Sequence, residues 1–161
     1  MELTHAAGFD PVYNEESRLI ILGSFPSVKS RAVGFYYGNP QNRFWKTVCG
    51  YFDEEVPPDI AGKTAFLLRH NIALWDVVES CEIAGSSDSS IRKEEVAAVP
   101  DLVARTKAER IFCNGTKSYE VLAERFPQLL PMTQKLPSTS PANPRFSRAV
   151  WEEAFDEIFK R

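Results

Sequence analysis

Three short segments of the chain carry residue types that do chemistry when brought together. The first is Gly23-Ser24-Phe25-Pro26-Ser27. Glycine at a strand end lets a ligand approach the backbone, and the N–H groups of Ser24 and Phe25 are candidate donors there. The segment lacks the pattern of a phosphate-binding loop or of a serine nucleophile elbow, and by itself it also reads as a plain turn. The second runs from Gly34 to Trp45, GFYYGNPQNRFW. Aromatics in a glycine-bounded loop suit stacking on a planar ring, worth about 1–3 kcal/mol per nucleobase. Asn39 and Asn42 can read a ring edge or orient a water. Phe44 and Trp45, at helical spacing with Val48 and Phe52, read as helix core instead, which leaves Tyr36 and Tyr37 in the loop. The third is Leu136 to Pro144, LPSTSPANP. Three prolines stiffen it and small hydroxyls line it. Such a loop can hold a phosphate, or it can simply connect a strand to a helix.

These segments need elements to position them. Arg18 to Leu22 is a short apolar run that stops at Gly23, the pattern of a strand buried on both faces. A long loop follows from Ser24 to about Gln41. Asn42 then stands as the expected N-cap of the helix carrying Phe44 and Trp45. Ile60 to Arg69 reads as a helix and Ile72 to Trp75 as a strand. A polar loop spans Glu82 to Ser90. Ile91 to Thr106 carries helical periodicity, with Pro100 as an interruption. Arg110 to Cys113 is a strand ended by Asn114-Gly115, and Thr116 to Arg125 a helix. A weakly marked strand lies within Leu129 to Leu136, and the last helix runs from about Phe146 to Phe159. Strands alternating with helices predict an α/β fold, a three-layer α/β/α sandwich on a central, mainly parallel, four-stranded sheet. In such sheets ligands bind at the carboxyl ends of the strands, where Gly23–Ser27, Asn114-Gly115 and Pro137–Asn143 all fall.

Composition narrows the function classes. At 161 residues the chain suits one domain, 1–161. No apolar run reaches the roughly 20 residues needed to span a bilayer, and the first ten residues do not resemble a secretion signal, so a cytoplasmic or nuclear location is expected. The cysteines Cys49, Cys81 and Cys113 are far apart, and the only histidines are His5 and His70. Neither a disulfide framework nor a metal or iron–sulfur site is expected, and no cofactor. The net charge of −3 counts mildly against nucleic-acid binding. A local basic patch from Lys29, Arg31, Arg43 and Lys46 would suffice for a few nucleotides.

Taken together and in this order, GSFPS after a strand, GFYYGNPQNRFW, IALWDVVESC, IFCNG and LPSTSPAN resemble the uracil-DNA glycosylase superfamily. The likeness is nearest to its hypoxanthine branch, the DNA-deoxyinosine glycosylases, and covers nearly the whole chain. It implies a base-excision repair enzyme that hydrolyses the N-glycosidic bond of a deaminated base in DNA and leaves an abasic site, acting as a monomer without a metal and, in a prokaryote, at the nucleoid. By the resemblance, Tyr37 stands where a relative's aromatic stacks on the extruded base. The base would also meet Gly23, Ser24, Phe25 and Asn114. DNA would meet Pro137, Ser138, Thr139, Ser140 and Arg43. Two departures matter. Phe25 occupies the place where the superfamily usually carries a water-positioning Asp or Asn, and Leu136 replaces a frequent histidine. Both argue against efficient uracil removal. They pass the catalytic task to an asparagine outside the first motif, Asn42 by position and Asn39 second. No carboxylate is expected in the pocket, and no lysine is placed for Schiff-base chemistry.

Other readings are a uracil or mismatch glycosylase of the same superfamily, or a non-catalytic nucleic-acid-binding module of this fold. A further one is a small-molecule hydrolase using Ser24 or Ser27, for which His70 is poorly placed.

Overall fold

The structure, a computed structural model, describes residues 4–83 and 92–160. Four strands form the expected parallel sheet in the order β3-β2-β6-β7: β2 Leu19–Gly23, β3 Ile72–Asp76, β6 Arg110–Asn114 and β7 Thr133–Leu136. β2 is buried along its whole length because both faces of the sheet are covered. Its alternate side chains feed two cores. Leu19 and Ile21 join Ile72, Leu74 and Phe112 against helices α2 Phe44–Tyr51, α3 Ile60–Arg69 and α6 Arg148–Phe159. Ile20 and Leu22 join Ala73, Ile111 and Cys113 against α4 Val99–Ala104 and α5 Thr116–Arg125.

A second sheet differs from the sequence reading. Strands β1 Thr4–Ala7, β4 Val78–Ile83 and β5 Arg92–Val96 pair antiparallel in the order β1-β4-β5. The helix expected over Ile91–Thr106 is therefore two elements, and Ile91 lies outside the described residues. Arg-Lys-Glu-Glu-Val favours a helix by propensity, but pairing with β4 holds it extended. Pro100 does not interrupt a helix. It sits in the first turn of α4, where its missing N–H costs nothing. Of the polar loop expected over Glu82–Ser90, residues 82 and 83 end β4 and the rest lie outside the described residues. The loop after β2 contains a short helix, α1 Val28–Val33. Ser27 caps it by accepting from the Ser30 N–H, and Gly34 closes it at φ 87°. The fourth strand, expected within Leu129–Leu136, occupies the last four of those residues, and Pro127–Met132 form a 3-10 helix before it. α6 starts two residues late, at Arg148, behind its Ser147 cap.

Candidate active site

A cavity of about 800 Å³ opens at the carboxyl ends of the parallel strands, lined by all three segments. Its floor follows from sheet register. Asp76, the last residue of β3, pairs with Gly23, and Asn114 pairs with Leu136. Glycine at position 23 leaves a notch between neighbouring strands. A Cβ there would collide with Asp76 Oδ1 and come within 3.0 Å of the Tyr37 hydroxyl. The chain leaving β3 is tied to the loop leaving β2, since Val77 and Val78 N–H donate to the Gly23 and Ser24 carbonyls at 2.9 and 3.0 Å. Phe25 lines the cavity, and its ring packs in the second core with the Arg31 guanidinium 5.6 Å above it.

Tyr37 has φ 52°, a left-handed conformation that is strained for an aromatic residue and is held by its surroundings. One ring face stacks on Phe44, with centroids 4.1 Å apart and planes 18° from parallel. Its hydroxyl is shut off from solvent without a well-formed hydrogen bond. Burial pushes this phenol far above its ordinary range, the Asp76 carboxylate adds to the effect, and the Asn114 amide opposes it. It therefore remains O–H at any working pH. Tyr36 lies in the loop as expected and lines the cavity, but it is also buried. It is core, donating its hydroxyl to the Asp10 carbonyl at 2.9 Å and packing edge-on against Phe9. Phe44 and Trp45 are buried as expected, and Trp45 Nε1 donates to the Tyr36 carbonyl.

Asn39 and Asn42 both line the cavity. Each uses its side-chain oxygen to fold its own loop. Asn39 Oδ1 accepts from Gln41 N–H at 3.0 Å, and Asn42 Oδ1 from Phe44 N–H at 2.9 Å. What each can offer a ligand is chiefly its amide N–H pair. Asn42 is not the N-cap. Arg43 holds that position without a side-chain bond, and Asn42 satisfies the first helical N–H from one residue further out.

Several of the other expected contacts line the cavity yet spend polar atoms on bonds within the protein. Asn114, 9% exposed, grips Thr139 at both ends of its amide: Nδ2 donates to Thr139 Oγ1, and Oδ1 accepts from Thr139 N–H, both at 3.0 Å. Thr139 is only 1% exposed, so its hydroxyl serves this brace rather than a phosphate. Arg43, expected on DNA, donates instead to the carbonyls of Ser140 and Asn143 at 2.5 and 2.9 Å and covers the Phe146 ring. Trp151 on α6 donates to the Pro137 carbonyl at 2.8 Å. Ser138 and Ser140 accept from backbone N–H groups two residues on. They lie less deeply than Thr139 and line the cavity beside Lys29.

One site residue escaped the sequence reading. Asp76 is a carboxylate, 5% exposed, in a pocket expected to hold none. Its signal was a charged residue closing the otherwise apolar strand Ile-Ala-Leu-Trp-Asp, which needs a task in so buried a place. Elsewhere, His70 bonds to Glu54 and stacks on Phe52, and it does not line the cavity. Burial raises the Cys49 thiol to about 11 and the Cys113 thiol to about 12, so both stay protonated. Among the described residues no His, Cys, Asp and Glu side chains cluster as a metal site, and no helix is long and apolar enough to cross a membrane.

A parallel α/β sandwich thus carries, at the carboxyl ends of its strands, one cavity lined by an aromatic ring, amide side chains and a deep-set carboxylate. The chain belongs to the uracil DNA glycosylase superfamily, whose family model matches residues 11–159. A hypoxanthine DNA glycosylase of Methanosarcina acetivorans is 38% identical over 156 residues, covering 92% of this chain and 96% of the relative. One of Methanosarcina barkeri is 33% identical over 158 residues, with the same coverage. A solution NMR structure from M. acetivorans, described as a uracil DNA glycosylase, superposes with a TM-score of 0.81 at 36% identity, covering 96% of this chain and 98% of that one.

Proposed function

We propose that this protein is a monofunctional DNA glycosylase that releases hypoxanthine from deoxyinosine in DNA, acting as a monomer in the compartment that holds the genome. The observation that carries the reading is the pocket itself. Tyr37 is backed by Phe44 on one face and lines the cavity, so a flipped base can stack on the ring, with the polar floor beyond it. The two relatives named hypoxanthine DNA glycosylases support the choice of base.

In the reaction, water adds to C1′ of the deoxyribose as the bond from C1′ to N9 breaks. The electron pair leaves with the base, and a proton from the water ends on it. The sugar passes through an oxocarbenium-like state. Asn42, first, and Asn39, second, are the candidates to hold the water or the leaving group through their amide N–H pairs. The backbone donors of Ser24 and Phe25 face the base. Asn114, Thr139 and Arg43 fix the loop that bears Pro137, Ser138 and Ser140 toward DNA. Catalysis then rests on positioning and on dipoles set before the substrate arrives.

The test uses matched duplexes carrying hypoxanthine, uracil, xanthine or a mismatch, incubated with excess enzyme and a chelator and then cleaved with alkali. Hypoxanthine is expected to be released fastest, with the chelator without effect. The structural relative's description favours uracil as the second reading. Faster release of uracil than of hypoxanthine would establish it.

A further inference from the structure

We propose that Val28, at the start of α1, is an apolar wedge: its side chain packs on the base pair left unstacked when the neighbouring nucleotide is extruded. The inference rests on the function proposed above. A base that enters the cavity brings the adjoining part of its duplex against the rim, so exposed rim residues meet DNA. Extrusion strips the flanking pair of a stacking partner, and proteins that part base steps press apolar side chains into the opening.

Val28 suits that task by place, size and stiffness. Among the described residues the exposed large apolar side chains are Val28, Val33, Val56, Ile60 and Val150, and of these Val28 alone lines the cavity. The β7–α6 loop offers only Pro141 and Ala142 as apolar residues at the cavity, a ring tied back to its own backbone and a single methyl. The helix that bears Val28 is anchored on both sides. Ser27 caps it, and Ser30 Oγ accepts from the Gly38 N–H at 2.9 Å, which ties α1 to the loop that carries Tyr37. The wedge and the stacking ring therefore keep a fixed separation. A β-branched side chain is already restricted at χ1, so burying it against a base sacrifices little rotamer freedom. Lys29, exposed and also at the cavity, follows it and sets a cation where the strand's phosphates must pass.

The experiment measures single-turnover release of hypoxanthine from a duplex and from the same strand alone. It compares the parental protein with Val28→Ala, Val28→Leu and Val33→Ala, each checked by thermal melting. Val28→Ala alters an exposed position and should melt like the parent. It is expected to cut the duplex on the order of 10-fold more slowly, the scale of two methyl groups withdrawn from an apolar contact. It should cut the single strand at the parental rate, because a single strand has no pair to hold open. Val28→Leu is expected to keep duplex cutting. Val33→Ala, comparably exposed on the same helix but not lining the cavity, is expected to change neither rate. A Val28→Ala variant that cuts the duplex at the parental rate, or loses as much on the single strand, overturns the proposal. So does a duplex loss of the same size in Val28→Leu or in Val33→Ala. If the parental protein releases no hypoxanthine from either substrate, the function reading falls and takes this proposal with it. Release from both without a duplex-specific loss in Val28→Ala defeats only the role of Val28.

Discussion

Asn42 uses its side-chain oxygen to satisfy the first N–H of α2, and the residue lines the cavity. On the proposed function the structural duty falls to that oxygen and the catalytic one to the amide nitrogen, and variants separate the two. Asn42→Asp keeps the acceptor for Phe44 but removes the donor, so it should melt like the parent and still lose rate. Asn42→Ala should cost about 1 kcal/mol of stability as well. A rate loss on the order of 100-fold in both variants is the size expected for a preorganised donor, and stopped single-turnover assays with melting curves read it. An Asn42→Asp variant that cuts at the parental rate would pass the role to Asn39. Tyr37 is likewise divided between ring and hydroxyl. Tyr37→Ala should weaken base binding by about 1–3 kcal/mol through lost stacking. Tyr37→Phe keeps the ring and should lose far less, because stacking uses the ring face and not the hydroxyl. Single-turnover assays of the two variants on hypoxanthine oligonucleotides resolve this, and equal losses in both would point to the hydroxyl instead.

The loop between β7 and α6 owes its shape to residues outside it. Asn114 at the end of β6, Arg43 at the head of α2 and Trp151 on α6 each bond to it from a different direction. Three elements distant in sequence thus converge on one loop, and their bonds fix its outline. Arg43→Met keeps the length of the side chain and much of its packing on Phe146 while removing two charge-assisted bonds, each worth about 1.5–3 kcal/mol. Its duplex cleavage should fall well below its cleavage of single strands, because a flipped base in a duplex needs the loop's support. Equal losses on both substrates would show that Arg43 serves the pocket itself.

On the scale of the whole molecule, α3 is tied to the turn after α2 by Glu54, which meets both His70 and Arg69. His70 holds the carboxylate of Glu54 below its usual range, and Arg69 adds to this. A depressed carboxylate stabilises the fold above its unfolded value and loses that contribution as pH falls through the folded one. Glu54→Gln should therefore lower the melting temperature at neutral pH, and the gap should close in acid below the ordinary carboxylate range. The pair is partly exposed, so the gap should also narrow in high salt. A gap that persists in acid would mean the variant acts through packing, not through charge.

What the sequence determined by itself was the periodicity and the punctuation. Short apolar runs marked three of the four parallel strands, two of them closed by glycine, and Ile60–Arg69 and Thr116–Arg125 read as helices to the residue, because those signals are local. The order of the three polar segments carried the family, and the alternation of elements placed them at one end of the sheet. Tertiary structure decided which way each side chain turned. Thr139 and Arg43 look like DNA contacts in a hydroxyl-rich, basic stretch, yet partners roughly 25 to 100 residues away draw them inward. β5 has the composition of a helix and is extended only because β4 lies beside it. Asp76 entered the site through register: parallel pairing set it against Gly23, and no local pattern records which residue will face a missing side chain on the next strand.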